Sequence, residues 1–188
     1  MSDAVSALAG KATSGSTTVR EAGLVGMVTI RADLGNAEAV KAIKSATGVA
    51  VPKQRQITTK NERSLGWMSP DELLLICPYA DAEDLVAKLG TRLSDHHHMA
   101  VNVSDARAIF DIEGPHAREA LAKVCPVDLA PGVFEPGELR RTRLAQVPAA
   151  FWMTGPESFR LVCFRSVATY VFDVLALGAK DGAEVNYF

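Results

Sequence analysis

The most metal-like feature of the sequence is a run of three histidines, His96-His97-His98. Alternate side chains of a regular strand point in opposite directions, so three consecutive imidazoles cannot all face one ion. Because the run follows a predicted helix, we interpret it as a solvent-exposed loop that could bind nickel or zinc only adventitiously. We therefore predict no metal-ligating residues.

A serine and an aspartate, Ser104 and Asp105, lie near those histidines and suggest a hydrolase triad. No Gly-x-Ser-x-Gly turn surrounds the serine, so nothing places its hydroxyl at an exposed corner between a strand and a helix. A turn or helix-cap role is the favoured interpretation. The acids Asp71, Glu72 and Glu157 fall in tight turns, where they form no acid–base pair. No catalytic residue is predicted.

A glycine-proline corner, Gly114-Pro115, opens a predicted helix with Pro115 at its first position, and it could direct the helix N-terminus at an anion. Proline removes one of the amides that would bind the anion, and a lone glycine is weak evidence. His116 is predicted on the first turn of this helix, either solvated or capping. No cofactor-binding residue is predicted in this chain.

Composition restricts the compartment and the partners. Cys77, Cys125 and Cys163 are far apart and form no Cys-x-x-Cys pair, which indicates buried thiols in a reducing compartment. No run of about 18 apolar residues and no secretory signal is visible, so we expect a cytoplasmic protein without a membrane span. The 20 basic and 22 acidic residues nearly balance, which argues against a nucleic-acid partner.

Hydrophobic periodicity predicts strands and helices in two similar successions. The predicted elements of the first succession are strand Met27–Ala32, helix Asn36–Thr47, strands Ser64–Met68 and Leu73–Cys77, and helix Ala82–Leu93. The predicted elements of the second are a strand-then-helix unit over Ala108–Val124, strands Thr142–Gln146, Ala149–Met153 and Phe159–Phe164, and helix Val167–Leu177. The residues between Lys53 and Arg63 are predicted to be a polar connection.

A repeat relates the two successions. Trp67–Cys77 matches Trp152–Cys163 with one inserted residue, and the chain has tryptophan only at these two equivalent positions. The sequence thus predicts an α+β protein of two related β-α-β-β-α halves that form one compact unit. We expect a flexible arm over residues 1–22, a first half over 23–98 and a second half over 99–188.

Separated blocks of the chain resemble the gamma subunit of heterotetrameric sarcosine oxidase, and they occur in the same order as in that family. These blocks are Trp67–Leu75, Val103–Asp105, Cys125–Leu129, Phe134–Gly137, Thr142–Leu144 and Arg165–Tyr170. The resemblance implies a fold similar to the folate-binding domain of glycine-cleavage aminomethyltransferases. Those enzymes carry a catalytic aspartate in an Asp-Asp pair, whereas the corresponding stretch here, Asn61–Trp67, has only Glu62 as an acid.

The resemblance also implies a complex with alpha, beta and delta subunits that oxidises sarcosine to glycine, yielding hydrogen peroxide and 5,10-methylenetetrahydrofolate. FAD, FMN, NAD, tetrahydrofolate and zinc would then belong to the partner subunits, and this chain would be structural. The alternative is an autonomous folate-binding protein or an aminomethyltransferase-like enzyme that uses Glu62 or a nearby acid. For the structural reading we expect partner contacts at aromatic and arginine side chains, which dominate interface energetics: Phe134, Arg140, Arg141, Tyr187 and Phe188.

Overall fold

A computed structural model describes residues 3–188, which form two compact units. We call Val25–Ser104 the continuous unit, and the residues up to Leu24 together with Asp105–Phe188 the discontinuous unit. The strands are β1 (Ala12–Ser14), β2 (Thr18–Glu21), β3 (Val25–Ala32), β4 (Ile57–Lys60), β5 (Arg63–Ser69), β6 (Glu72–Pro78), β7 (His98–Asn102), β8 (Arg107–Glu113), β9 (Leu139–Leu144), β10 (Val147–Gly155) and β11 (Ser158–Phe164). The α-helices are α1 (Ala37–Thr47), α2 (Ala82–Arg92), α3 (Ala117–Ala122) and α4 (Ala168–Gly178).

The continuous unit is an antiparallel sheet with strand order β4-β5-β6-β3-β7, and helices α1 and α2 pack on it. Alternate residues of β3, β5 and β6 face these helices, as expected for strands with side chains on two faces. The fully buried members of this core include Val28, Ile30, Ile43, Leu65, Leu73, Leu75, Leu85 and Leu89.

Local signals set the ends of α1, where the sequence predicts them. The Asn36 side chain accepts hydrogen bonds from the amides of Glu38 (2.9 Å) and Ala39 (3.2 Å), which satisfies donors that lack a helical partner. Gly48 ends the helix in a left-handed conformation, with φ 78°, and its amide donates to the Lys44 carbonyl. The predicted helix is therefore confirmed.

The discontinuous unit is an antiparallel sheet with strand order β1-β2-β8-β11-β10-β9, and helices α3 and α4 pack on it. Its core is rich in phenylalanine, in contrast to the aliphatic core of the continuous unit. The fully buried members include Phe110, Ile112, Leu121, Phe134, Phe151, Phe159, Leu161, Val171 and Leu175.

Both units share one strand order, because β7-β3-β6-β5-β4 in the first corresponds to β2-β8-β11-β10-β9 in the second. The hairpin β5–β6 has a register shift between Trp67 and Ser69, and the hairpin β10–β11 has one between Met153 and Gly155. One 3-10 turn precedes α2, and an equivalent 3-10 turn precedes α4. The predicted α+β class is confirmed, and the common topology agrees with the repeat, although a duplication and one compact body of both halves stay predictions.

The expected boundaries between the halves differ from the observed division. Of the expected arm, residues 1 and 2 lie outside the described residues, whereas β1 and β2 join the second sheet, where β2 pairs with β8. The side chain of Glu21 is buried and accepts hydrogen bonds from the Gly10 amide (2.8 Å) and the Ser6 hydroxyl (2.9 Å). These contacts hold the segment from Ser6 to Glu21 in the discontinuous unit.

Three further expectations are wrong in detail. Strand β7, whose residues 99–102 fall in the expected second half, pairs with β3 and completes the first sheet. The polar connection before Arg63 contains strand β4, which pairs with β5 and buries Ile57. Helix α3 begins at Ala117 and has six residues, so Pro115 and His116 precede it. Among the helices of residues 3–188, none has the length and apolar character needed to cross a membrane.

Candidate functional site

The histidine run does not form a metal site in the structure. Across residues 3–188, no three side chains of His, Cys, Asp or Glu are arranged to hold a metal ion. His98 begins strand β7, and its Nδ1 lies 2.9 Å from the carbonyl oxygen of His96. Within this run only His97 is exposed; His96 lies in the expected loop but is half-buried, and His98 is half-buried and belongs to a strand.

Ser104 has a structural role instead of a nucleophilic one. Its buried hydroxyl accepts a hydrogen bond from the Met27 amide (2.9 Å) and donates one to the Asn102 side-chain oxygen (2.6 Å). A serine whose hydrogen goes to an amide oxygen lacks the base that nucleophilic catalysis requires. Ser104 and Asp105 belong to a 3-10 turn between β7 and β8, which confirms the predicted turn.

The three cysteines are buried and unreactive by environment. Burial raises the pKa of Cys77 to about 11, and it raises the pKa of Cys125 and of Cys163 to about 12. Such thiols stay protonated at neutral pH, whereas the thiolate is the nucleophile and the metal ligand. The prediction of buried thiols is confirmed.

Glu62, the acid of the alternative reading, lies at the surface of the continuous unit. It lines a cavity of about 350 Å³ between the β4–β5 turn, the end of α1 and the end of β6. In this cavity Arg63 binds Asp81 (2.8 Å) and donates to the Thr47 carbonyl (3.2 Å), so this guanidinium already has partners within the fold. Glu62 is exposed, so it lacks the buried environment by which enzymes adapt a carboxylate to general-base catalysis.

The backbone at the glycine-proline corner before α3 is hydrogen-bonded and closely packed within the discontinuous unit. Gly114 has φ 133°, and its amide donates to the Glu157 carbonyl (2.9 Å). A Cβ atom at this position would lie 3.3 Å from the Ser16 carbonyl oxygen, so the backbone passes close to another segment. The amide that could have bound an anion is therefore used within the fold.

Phe134 is not a surface residue, so its expected role in binding a partner is wrong. The side chain has no exposed surface, and its ring lies 5.3 Å from Phe151 and 6.2 Å from Phe159 between centroids. The Phe134 carbonyl accepts a hydrogen bond from Arg118 (2.9 Å), and Arg140 lies over its ring at 5.3 Å. The Pro-rich connection thus folds inward and contributes an aromatic side chain to the core.

Arg140 and Arg141 lie on β9, which is the last strand of its sheet. Arg140 is half-buried, donates to the Leu139 carbonyl (3.0 Å) and lies 3.5 Å from Glu138. Arg141 is exposed. Charged side chains on an edge strand prevent uncontrolled pairing and can also bind a complementary surface.

The segment after α4 carries Tyr187 and Phe188, with 79% and 43% of their surfaces exposed. Their rings form an edge-to-face pair at 5.2 Å between centroids. Phe188 also lines a cavity of about 400 Å³ in the discontinuous unit. Exposed aromatic pairs of this kind are typical of protein interfaces.

Glu119 on α3 fixes this aromatic segment, and sequence reasoning missed it. Its buried carboxylate accepts hydrogen bonds from the amides of Val185 and Asn186 and forms an ion pair with Lys123 at 3.1 Å. The hydrogen bond from Val185, followed by the contacts with Lys123 and Asn186, holds the pKa of Glu119 below its ordinary value. A glutamate on a short helix normally reads as solvated, so no sequence signal marked it.

Comparison with solved structures first defines the class of fold. The fold is similar to that of glycine cleavage system aminomethyltransferase T from Bartonella henselae, with a TM-score of 0.63 and 14% identity, covering 87% of this chain and 46% of that one. It is more similar to a chain of heterotetrameric sarcosine oxidase from Corynebacterium sp. U-96, with a TM-score of 0.83 and 26% identity, covering 94% of this chain and 91% of that one.

Sequence comparison then gives the family. Residues 31–181 match the model of the sarcosine oxidase, gamma subunit family. The sarcosine oxidase subunit gamma of Corynebacterium sp. strain P-1 is 30% identical over 158 residues, which cover 83% of this chain and 76% of the relative. That of Arthrobacter sp. is 31% identical over 155 residues, which cover 81% and 75%. The chain belongs to the sarcosine oxidase gamma subunit family, as its sequence predicted.

Proposed function

We propose that this chain is the non-catalytic, structural gamma subunit of a heterotetrameric sarcosine oxidase. The observation that carries this proposal is the similarity to the Corynebacterium sp. U-96 chain over 94% of the molecule, together with the family match over residues 31–181. The similarity extends through both units, so it does not rest on one shared motif.

The complex would convert sarcosine to glycine, with formation of hydrogen peroxide and 5,10-methylenetetrahydrofolate. Its alpha, beta and delta subunits would hold FAD, FMN, NAD, tetrahydrofolate and zinc. The chemistry of this chain supports that division for zinc, because protonated thiols are poor ligands and one imidazole nitrogen of His98 is engaged with the His96 carbonyl. Free, buried cysteines also support a reducing cytoplasm as the compartment.

The partner contacts would use the exposed aromatic and basic side chains of the discontinuous unit. Tyr187 and Phe188 offer apolar surface that Glu119 holds in one arrangement, which lowers the entropy that binding must remove. Arg140 and Arg141 on β9 offer hydrogen-bond donors to an acidic or carbonyl-rich surface. Phe134 supports this surface from inside.

Co-expression with the alpha, beta and delta subunits tests the proposal. The affinity-tagged chain is expected to co-purify with all three, and the complex is expected to produce hydrogen peroxide from sarcosine, whereas the isolated chain shows no such activity. A tagged chain that brings down no flavoprotein partner would contradict the proposal.

Titration of the isolated chain with tetrahydrofolate separates this function from the folate-binding alternative. We expect no binding tighter than about 1 mM, which corresponds to about −4 kcal/mol. If tighter binding occurs, the structural reading is contradicted, and if Glu62→Gln weakens that binding, Glu62 belongs to the folate site.

A further inference from the structure

Strand β7 forms an edge of the continuous unit's sheet that lacks the usual protection. In residues 3–188 its only neighbour in the sheet is β3, so one side of its backbone has no strand beside it. Native edge strands are normally short or carry charges that prevent pairing with another chain. Strand β7 has five residues, His-Met-Ala-Val-Asn, and contains no Asp, Glu, Lys or Arg. Its edge is therefore open to a further strand.

The edge strands β1, β4 and β9 each carry one of these forms of protection. Strand β1 has three residues, and β4 has four and ends at Lys60. Strand β9 is longer, but half of its six residues are arginines: Arg140, Arg141 and Arg143. The contrast identifies β7 as the edge whose sequence does not oppose pairing.

The discontinuous unit shows that this strand order accommodates one more strand at the same edge. Strand β2 has the position there that β7 has in the continuous unit. Strand β1 covers the outer side of β2 as an antiparallel neighbour, with Ala12 opposite Arg20 and Ser14 opposite Thr18. In the described part of the chain, no equivalent of β1 lies beside β7.

The direction of the backbone groups of β7 follows from its pairing with β3. The Val103 amide, just after β7, donates to the Met27 carbonyl (2.8 Å). In an antiparallel pair, the residues of a strand alternate between those bonded to the neighbour and those whose N–H and C=O point away from it. Counting back from Val103, every second residue of β7 points its backbone groups away from β3: His98, Ala100 and Asn102.

This edge is complementary to itself. When two copies of β7 lie antiparallel about a two-fold axis at Ala100, each Ala100 lies opposite the other, and His98 lies opposite Asn102 of the second copy. Each of these pairs exchanges two backbone hydrogen bonds, because both residues point their groups outward. Met99 then lies opposite Val101 of the second copy, in the closely spaced type of pair with Cα atoms about 4.5 Å apart.

The side chains at this edge suit the same arrangement. Met99 and Val101 lie on one face of the sheet, with 40% and 43% of their surfaces exposed. The neighbouring charge on that face is Arg31, opposite Met99 on β3, and it forms ion pairs with Asp71 and Glu72, both at 3.1 Å. A copy of β7 would therefore meet apolar side chains bordered by a paired charge.

We propose that β7 is a self-association edge, to which a second copy of this chain adds its own β7 as an antiparallel strand. The second copy is the occupant because the edge matches itself in hydrogen bonds and in apolar pairs and carries no like charges that would repel it. An acidic or basic segment would find no complementary charge on β7. The inference does not depend on the proposed function.

The area that one sheet edge covers is smaller than a standard interface, so we expect a weak dimer. Sedimentation equilibrium of the full chain between about 10 µM and 1 mM covers the relevant range of dissociation constants. Over this range the unaltered chain is expected to change from mostly monomer to mostly dimer.

Two variants with the same added charge test the location of the contact. Met99→Lys/Val101→Lys places like charges opposite each other across the two-fold axis, which destabilises a strand pair. Ala87→Lys/Thr91→Lys adds the same charge to the exposed face of α2. We expect the β7 variant to dimerise at least about tenfold more weakly than the unaltered chain, and the α2 variant to dimerise normally.

A charge exchange separates loss of the contact from loss of the fold. Met99→Glu/Val101→Glu is expected to be monomeric by itself, for the same reason as the lysine variant. In a mixture of the two variants, the lysine introduced at position 99 lies opposite the glutamate introduced at position 101. We therefore expect the mixture to form a dimer of one chain of each kind, which requires that both variants are folded.

Hydrogen exchange locates the contact at single residues. The Ala100 amide is expected to exchange several-fold more slowly at about 1 mM chain than at about 10 µM, because the second copy accepts its hydrogen bond. The amides of the opposite edge strand, β4, are expected to exchange at the same rate at both concentrations.

Three results would overturn the inference. The first is a chain that stays monomeric up to about 1 mM. The second is a dimer that both lysine variants weaken equally. The third is slow exchange of the Ala100 amide that is independent of chain concentration and occurs only after co-expression with other subunits, which would identify a different chain as the occupant.

Discussion

The connections after α1 and after α3 show how two units with the same strand order fill their cores differently. Helix α1 has 11 residues, and the connection that follows it, residues 48–56, buries Val49 and Pro52. Helix α3 has six residues, and residues 123–138 after it bury Cys125, Leu129 and Phe134. A folded loop therefore replaces the second half of a helix in the discontinuous unit.

This difference teaches that the loop is part of the core and not a tether between elements. Arg118 on α3 donates to the carbonyls of Leu129 and Phe134, so buried loop carbonyls obtain partners that a helix would have supplied within itself. The loop and the short helix are thus one structural element. The surface that remains outside carries Arg140 and the aromatic segment.

Removal of the loop's aromatic side chain is the strongest way to test that comparison. Phe134→Ala is expected to cost about 3–5 kcal/mol of unfolding free energy, because it empties the contact with Phe151 and Phe159. Val49→Ala, in the equivalent connection, is expected to cost about 1–3 kcal/mol. Urea unfolding of the isolated chain measures both, and a smaller loss for Phe134→Ala than for Val49→Ala would contradict the loop's role in the core.

Close packing at equivalent strand positions gives a smaller effect. Gly26 pairs with Cys77 in one sheet, and Ala108 pairs with Cys163 in the other. A Cβ atom at Gly26 would lie 2.6 Å from the Pro78 carbonyl oxygen and 2.8 Å from the Cys77 sulfur.

Gly26→Ala is therefore expected to cost about 1–3 kcal/mol through overpacking, even though its counterpart is already alanine. The reciprocal change Ala108→Gly is expected to cost about 0.5–1 kcal/mol through added backbone freedom. Thermal unfolding checks both changes. If Gly26→Ala left the thermal stability unchanged, the two sheets would tolerate alanine equally at this position, which would contradict the close contacts around Gly26.

The third comparison concerns two helix carboxylates with opposite environments. Glu119 is buried against the amides of Val185 and Asn186, whereas Glu38 on α1 is exposed in a 3.8 Å pair with Lys41. At neutral pH, Glu119→Gln is expected to lower the Tm and to speed proteolysis of the segment after α4. Glu38→Gln is expected to change stability by less than about 0.5 kcal/mol.

The pH dependence of stability shows in which pH range the Glu119 carboxylate stabilises the fold. Because the pKa of Glu119 is lowered in the folded chain, its carboxylate stabilises the fold above the unfolded pKa of about 4.3. That contribution is lost as the pH falls through the lower, folded pKa. The decrease in Tm between about pH 6 and pH 3 should therefore be smaller in Glu119→Gln than in the unaltered chain, and an unchanged decrease would rule out the carboxylate as the clamp.

Local signals made much of the fold predictable. Asn36 and Gly48 define α1 through contacts within a few residues, and the spacing of Leu85 and Leu89 defines the buried side of α2. The two tryptophan-containing hairpins were recognisable because their turns and alternating strands are also local. The family followed from several such blocks in one order.

Long-range pairing was much harder to predict. Strands β1 and β2 lie in a polar sequence, and their place in a sheet depends on β8, about 90 residues further along the chain. Strand β7 has the alternation of a strand, yet only pairing with β3 shows which unit it completes. A short strand carries no mark of its partner, because backbone hydrogen bonds are the same for every residue type.

The residues of the candidate interface also divide into those whose exposure the local sequence indicates and those whose burial it does not. The exposure of Tyr187 and of Arg141 could be expected from their sequence context, because a short polar tail and a charged strand rarely build a core. Phe134 was misplaced, since an apolar residue in a Pro-rich loop has no periodicity that shows which way it points.

By itself, the sequence determined the α+β class, the repeated hairpins, the ends of α1, the buried thiols and the family, because each depends on short-range patterns or on ordered motifs. Only the tertiary structure decided that Phe134 lies inside and that Glu119 holds the aromatic segment. Both features arise from contacts between residues distant in the chain, and burial is a property of the folded arrangement instead of the residue type.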